Sequence, residues 1–172
     1  LIDHNRTYGH GVGWKSVYYT GDDGGMTKRY YDNKTVGTIN AGKNEEIYIG
    51  SNVHADTIYY DGGKIEKYGG SGKIKTNKFI IKQNYENYQI WNVDIDAKIY
   101  EIYDTLNVAI GNNSSEEAWI FSGKIDANYR IDKVPKSIMF YVPEGSQAET
   151  FLKNAGRAYK YINEDTIVGQ NP

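Results

Sequence analysis

The chain has 172 residues, a formal net charge of −2 and no cysteine. Disulfides and thiolate metal sites are therefore excluded, and the charge gives no basic footprint for nucleic acid. No apolar run approaches the ~20 residues of a membrane helix, so no membrane insertion is expected of this segment.

The composition favours strands. There are 17 Tyr and 19 Gly, whereas leucine occurs only at Leu1, Leu106 and Leu152. Ile and Tyr dominate the apolar set, and both suit a pleated, half-buried surface. This balance fits a secreted or surface-displayed β protein.

Residues 1–44 read as an irregular N-terminal cap. The opening stretch is punctuated by Gly9, Gly11 and Gly13 and has no period. Trp14–Tyr19 reads as a strand, and Gly21-Asp22-Asp23-Gly24-Gly25 as a turn, since Asp and Gly tolerate tight reversals. A cap is needed because an open strand edge recruits other chains.

Residues 45–172 read as a repeat array with a C-terminal cap, the whole forming one structural domain. Glu45–Ile49 and Asp56–Tyr60 are expected as strands, Asp61-Gly62-Gly63 as a turn, and Lys64–Tyr68 as the next strand. Lys73–Asn77 is polar with one apolar residue and is placed near the surface. Apolar-aromatic cores then open at Phe79, Ile99, Trp119 and Ile138, about 20 residues apart, a spacing that marks stacked repeats. Tyr88–Trp91 and Asn107–Ile110 are secondary cores between them. Asn92–Ile102 alternates apolar and polar residues, which predicts one buried and one wet face, with Asp94 and Asp96 on the wet one. Gly111–Ser115 is a loop by composition.

One helix is signalled. Ser146-Gln147-Ala148-Glu149 fits a capping box, in which the Ser146 hydroxyl and Glu149 carboxylate accept orphan backbone N–H groups. Ala148, Phe151, Leu152 and Ala155 share a face, Gly156 supplies the left-handed exit, and Tyr159–Ile162 returns as a strand. The expected fold is mainly β: a leucine-rich-repeat-like or β-solenoid stack of short strands with a short C-terminal capping helix.

Aromatic residues carry the functional signal. Neighbouring tyrosines on a strand point to opposite faces, so Tyr18-Tyr19, Tyr30-Tyr31 and Tyr59-Tyr60 each offer one ring to solvent. Exposed rings stack on sugars or anchor protein partners. The candidate ligand-binding set is Trp14, Tyr18, Tyr31, Tyr59, Trp91 and Trp119. No catalytic residue is assigned, because there is no Gly-x-Ser-x-Gly elbow and no convincing acid pair. No cofactor and no metal is expected. His4 and His10 lack the fixed spacing of ligands, His54 stands alone, and Gly69-Gly70-Ser71-Gly72-Lys73-Ile74 has Ile where a calcium repeat needs Asp.

Phe140-Tyr141-Val142-Pro143-Glu144-Gly145-Ser146, followed by the Ala148-containing helix, Gly156 and Tyr159-Lys160-Tyr161, resembles the closing unit of BspA-like leucine-rich-repeat bacterial surface proteins. The resemblance covers roughly 25 residues, and residues 1–45 carry none of it. It implies an extracellular or cell-surface location and adhesion to a host or neighbour-cell molecule, and it transfers no catalytic residue. The expected function is a non-catalytic extracellular binding or adhesion module, with a surface protein or a glycan as partner. The alternative is a carbohydrate-binding or phage receptor-binding β-solenoid domain.

Overall fold

The computed structural model describes residues 18–23, 26–82, 89–110, 118–162 and 167–169. In chain order the strands are β1 (Tyr18–Asp23), β2 (Met26–Tyr31), β3 (Thr35–Gly42), β4 (Glu45–Ile49), β5 (Val53–Asp61), β6 (Lys64–Lys67), β7 (Lys73–Ile81), β8 (Gln89–Trp91), β9 (Asp94–Leu106), β10 (Trp119–Ile125) and β11 (Met139–Val142). Helix α1 (Gln147–Asn154), β12 (Tyr159–Tyr161) and β13 (Ile167–Val168) follow. The chain winds into a β-solenoid of about six turns. Its short sheet has the order β1-β2-β4-β6-β8 and its long sheet β13-β12-β11-β10-β9-β7-β5-β3. Among the described strands every ladder is parallel except β1 on β2 and β13 on β12.

The register turns the repeat into a core. Ile39, Ile58, Phe79, Tyr100, Ile120, Phe140 and Tyr159 stand in line across the long sheet, one from each strand from β3 to β12, and all are buried. Ile47 and Ile65 face them from the short sheet. Each buried aliphatic or aromatic side chain contributes about 1.5–3 kcal/mol, and a solenoid needs several such rungs because one coil cannot hide its own apolar face. Tyrosines in the stack keep their polar ends bonded. The Tyr100 hydroxyl donates to Ile95 O at 3.1 Å, and Tyr60 accepts from Gln89 N–H at 3.2 Å.

The corners repeat as well. Asn33, Asn52 and Asn92 each hold a left-handed φ between the short and the long sheet, a conformation that asparagine tolerates better than other non-glycine residues. The Asp32 carboxylate accepts Ser51 N–H at 2.7 Å, and Ser51 Oγ accepts Ser71 N–H at 2.9 Å, so successive corners are tied to one another.

From β9 onward the second strand of each coil gives way to irregular chain, a 3-10 turn at Ile131–Lys133 and finally α1. Ser146 caps α1 by accepting Glu149 N–H at 3.2 Å, and Gly156 exits at φ +68°. Gln147 stands in for a strand: its side-chain amide accepts Ile125 N–H at 2.7 Å and donates to Ile125 O at 3.0 Å.

Several local expectations change. Regular parallel pairing already includes β2 and β3, so the coil starts upstream of residue 45. Lys73–Asn77 is the first half of β7 with Ile74 and Thr76 buried, because the strand is flanked on both sides. Asn107–Ile110 forms no strand, although Val108 and Ile110 are buried. Ala155 is exposed, since α1 ends at Asn154. The second bond of the capping box comes from Gly145 N–H, 2.9 Å from Glu149, rather than from Ser146.

Asp96 is buried instead of wet. The ladder between β5 and β7 runs Ala55↔Thr76 and then Thr57↔Lys78, skipping Asp56 and Asn77. The Thr76 hydroxyl lies 3.2 Å and 3.1 Å from the carbonyls of Asp56 and Lys78 there, and the burial alternation changes phase beyond that point, from Val53 and Ala55 to Ile58 and Tyr60. Asp96 pairs with Lys75 just before it and lines a groove of about 530 Å³ with His54 and Lys98.

Candidate ligand-binding face

Inward side chains fill the coil, so the alternate positions of each strand build an outer wall. On the long sheet one outward ladder reads Asn40, Tyr59, Ile80, Glu101, Phe121, Tyr141 and Lys160, and its neighbour reads Thr38, Thr57, Lys78, Ile99, Trp119 and Met139. This wall is unusually apolar for a solvent face. Ile80 points away from the core yet is only 5% exposed, because its neighbours on the outer ladder close over it.

Three rings of the wall, Trp119, Phe121 and Tyr141, contact one another across β10 and β11. Phe121 and Tyr141 stack with centroids 4.8 Å apart, and Trp119 lies 5.7 Å from Tyr141. Tyr103, at 64%, is the most exposed large apolar side chain here. Lysines lie over the rings: Lys82 Nζ is 4.5 Å from the Tyr103 centroid and 6.0 Å from Tyr59, and Lys160 Nζ is 5.8 Å from Tyr141. Lys78 pairs with Glu101 at 3.0 Å, and this hydrogen bond raises the lysine pKa. Glu101 also accepts from Tyr103 OH at 3.3 Å. The wall therefore presents flat apolar rings edged by ammonium groups, suited to stacking and to charge-assisted hydrogen bonds.

At its β3 end the wall runs into a cleft of about 610 Å³ lined by Arg29, Tyr31, Asn40, Glu45, Tyr59, Asp61 and Lys82 among others. Arg29 and Glu45 pair at 2.7 Å across its side. Tyr31 points into the coil and is 5% exposed, and burial raises its hydroxyl pKa. Its ring is not a stacking platform. In this pair Tyr30 is the outward residue, because Tyr31 follows the inward register of Ile49.

The short sheet carries a second, separate group of rings. Tyr30 stacks on Tyr48 at 4.7 Å, Tyr68 meets both edge-on, and Lys64 Nζ lies 5.1 Å from the Trp91 ring. Beside them Lys28, Glu46 and Lys64 form a ladder of alternating charge. Of the residues singled out by sequence, Tyr59 and Trp119 thus share the long-sheet wall, and Trp91 belongs to the opposite face. Tyr18 opens β1 opposite Tyr30 in the backbone register, and Trp14 lies outside the described residues.

Sequence reasoning passed over Phe121, Tyr141, Lys82 and Lys160. The signal for the first two is their position, one residue after a core residue and about 20 residues apart, which makes them rung neighbours on the outside. Among the described residues no group of three His, Asp or Glu is placed to hold a metal ion. No described helix is long and apolar enough to cross a membrane. Comparison of the chain with protein-family models, with curated proteins and with solved structures returned no match.

Proposed function

We propose that this chain is a non-catalytic binding and adhesion module of a bacterial surface protein, engaging its partner through the outer wall of the long sheet. The carrying observation is the set of rings on one face, with Trp119, Phe121 and Tyr141 clustered and Tyr59 and Tyr103 beyond Glu101, edged by Lys82 and Lys160. Isolated exposed rings are ordinary, whereas a contiguous apolar patch with a polar rim marks an interaction surface. The extracellular placement and the adhesive role rest on the BspA-like closing unit at residues 140–161 and on the Tyr- and Gly-rich composition.

The test is binding of the purified chain to panels of cell-surface proteins, matrix proteins and glycans, repeated with the double variant Trp119→Ala, Tyr141→Ala. Saturable binding lost in the double variant supports the reading. Binding that survives it, or no binding across the panels, rejects it. The alternative, a carbohydrate-binding or phage receptor-binding solenoid, uses the same wall, whose rings edged by Lys82 and Lys160 also suit a sugar ligand.

A further inference from the structure

Resting on that reading, we infer that the wall takes an acidic linear polysaccharide, laid along the solenoid axis across the strands rather than along them. The first argument is repeat length. Parallel strands stack at about 4.8 Å per rung, close to the advance of one residue in an extended 1,4-linked pyranose chain. The outer ladder offers one residue at that pitch: Tyr59 on β5, Ile80 on β7, Glu101 on β9, Phe121 on β10 and Tyr141 on β11, apolar at all but β9. A sugar chain running across the strands meets one ladder residue per sugar, whereas one running along a strand crosses the ladder once.

The second argument is charge. Among the described residues neither Lys82 nor Lys160 has a carboxylate within ion-pairing distance; each sits over a ring instead. The one acid on the ladder, Glu101, is held by Lys78 and the Tyr103 hydroxyl. Among the described residues the wall thus has two ammonium groups to offer, one just past the end of β7 and one on β12, four rungs apart, or roughly 19 Å. A uronic acid polymer supplies both halves of the complement, apolar pyranose C–H groups for the exposed ring edges and a carboxylate for each lysine. A neutral glycan leaves both lysines without an anion. From β5 to β12 the wall spans five rungs, roughly 24 Å, enough for about five sugar residues.

The probes are β-1,4-linked polymannuronate oligomers of two to eight residues and β-1,4-mannan oligomers of the same lengths, which differ in the carboxylate. Calorimetry is run on the chain and on Lys82→Gln, Lys160→Gln and, on the short sheet, Lys67→Gln, each checked for folding by circular dichroism. The expected result is tighter binding of the uronate, an affinity that climbs with length and levels off near five or six residues, and weakening by salt. Lys82→Gln and Lys160→Gln each lower affinity roughly 3- to 10-fold through loss of one charge-assisted contact, and Lys67→Gln leaves it unchanged. Equal binding of mannan and mannuronate, an affinity that stops rising at two residues, or indifference to both lysines overturns the inference. If neither oligomer binds while the Trp119→Ala, Tyr141→Ala variant still abolishes capture of a surface protein, the polysaccharide inference fails and the binding face stands. If nothing binds, both fall.

Discussion

Tyr159 donates a hydrogen bond of 2.6 Å to the buried carboxylate of Glu149, joining the last core rung to the capping helix that precedes it. Tyr161 donates to the same oxygen at 2.5 Å, and Gly145 N–H reaches the other oxygen at 2.9 Å. One side chain thus fastens the turn, α1 and β12 together, and three donors around one carboxylate favour its charged form.

The bonds from Tyr159, Tyr161 and Gly145, in that order, hold the Glu149 carboxyl at about 2, against an ordinary 4.5. A pKa that is lower in the folded state means stability fully present above pH 4.5 and lost as the pH falls from there towards 2. Thermal melts of the wild type are expected to fall across that window. Glu149→Gln is expected to start from a lower melting temperature at neutral pH and to decline less steeply in acid. Parallel melting curves for the two proteins would remove Glu149 as the source of the acid response.

Coil contacts impose a second constraint, at Gly63. A Cβ added there would lie 2.4 Å from Gly42 O and 2.7 Å from the Ala41 carbonyl carbon, and both are backbone atoms of the adjoining coil. Gly63 N–H also donates to Ala41 O at 3.0 Å, so the two segments cannot separate cheaply. Gly63→Ala is expected to cost at least about 2 kcal/mol in urea unfolding, in the range of overpacked cores. Gly37 has nothing within 4 Å of an added Cβ and no left-handed φ, so Gly37→Ala is expected to stabilise by about 0.4–1 kcal/mol through the unfolded chain. Similar effects at the two glycines would contradict the close approach at Gly63.

The architecture was legible because the repeat length and the register are the same fact. Phe79, Ile99, Trp119 and Ile138 recur about every 20 residues in the chain, and the parallel ladders bring each repeat beside the last. The closing helix was legible because Ser146, Glu149 and Gly156 act locally. Facing was harder to read. Tyr31 takes the inward phase of the Ile49 register, whereas Asp96 keeps the outward phase of Lys75 and is buried in the groove beside it, and neither outcome has a strong composition cue. The candidate wall was half legible: Tyr59 and Trp119 are ring-rich positions, whereas Phe121 and Lys160 gain their meaning only when stacked rungs put them next to Tyr141.

Ile120 and Phe121 are sequence neighbours with opposite duties. Ile120 sits fully buried between Tyr100 and Phe140 in the core line, while Phe121 lies outside, half-buried, against Tyr141. Ile120→Ala is expected to cost about 2–5 kcal/mol, the cost of a core cavity. Phe121→Ala is expected to cost about 1 kcal/mol, the value of one ring pair, and to act chiefly on ligand binding. Chemical denaturation of both variants, read beside the binding assay, separates wall from core. A Phe121→Ala loss as large as that of Ile120→Ala would assign Phe121 to the fold.

Arg157 is a buried cation held by backbone carbonyls. Its guanidinium donates to Val134 O at 3.0 Å, Pro135 O at 2.6 Å and Ile138 O at 3.2 Å, and it lies 5.3 Å from the Phe140 ring centroid. Burial lowers its pKa, yet a guanidinium stays protonated in proteins. Two effects oppose each other in Arg157→Met. Removing the cation relieves its desolvation, but it strands three carbonyls that the loop between the 3-10 turn and β11 has turned inward. Because each stranded acceptor costs about 1–3 kcal/mol, the second effect is expected to dominate, with a net loss of at least about 3 kcal/mol. Arg157→Lys keeps the charge but loses the planar fork that spans the three carbonyls, so its unfolding midpoint in urea should fall between those of the wild type and Arg157→Met. A methionine variant as stable as the wild type would mean that desolvation of the cation had outweighed its hydrogen bonds, and that the guanidinium does not hold this loop against the last rungs.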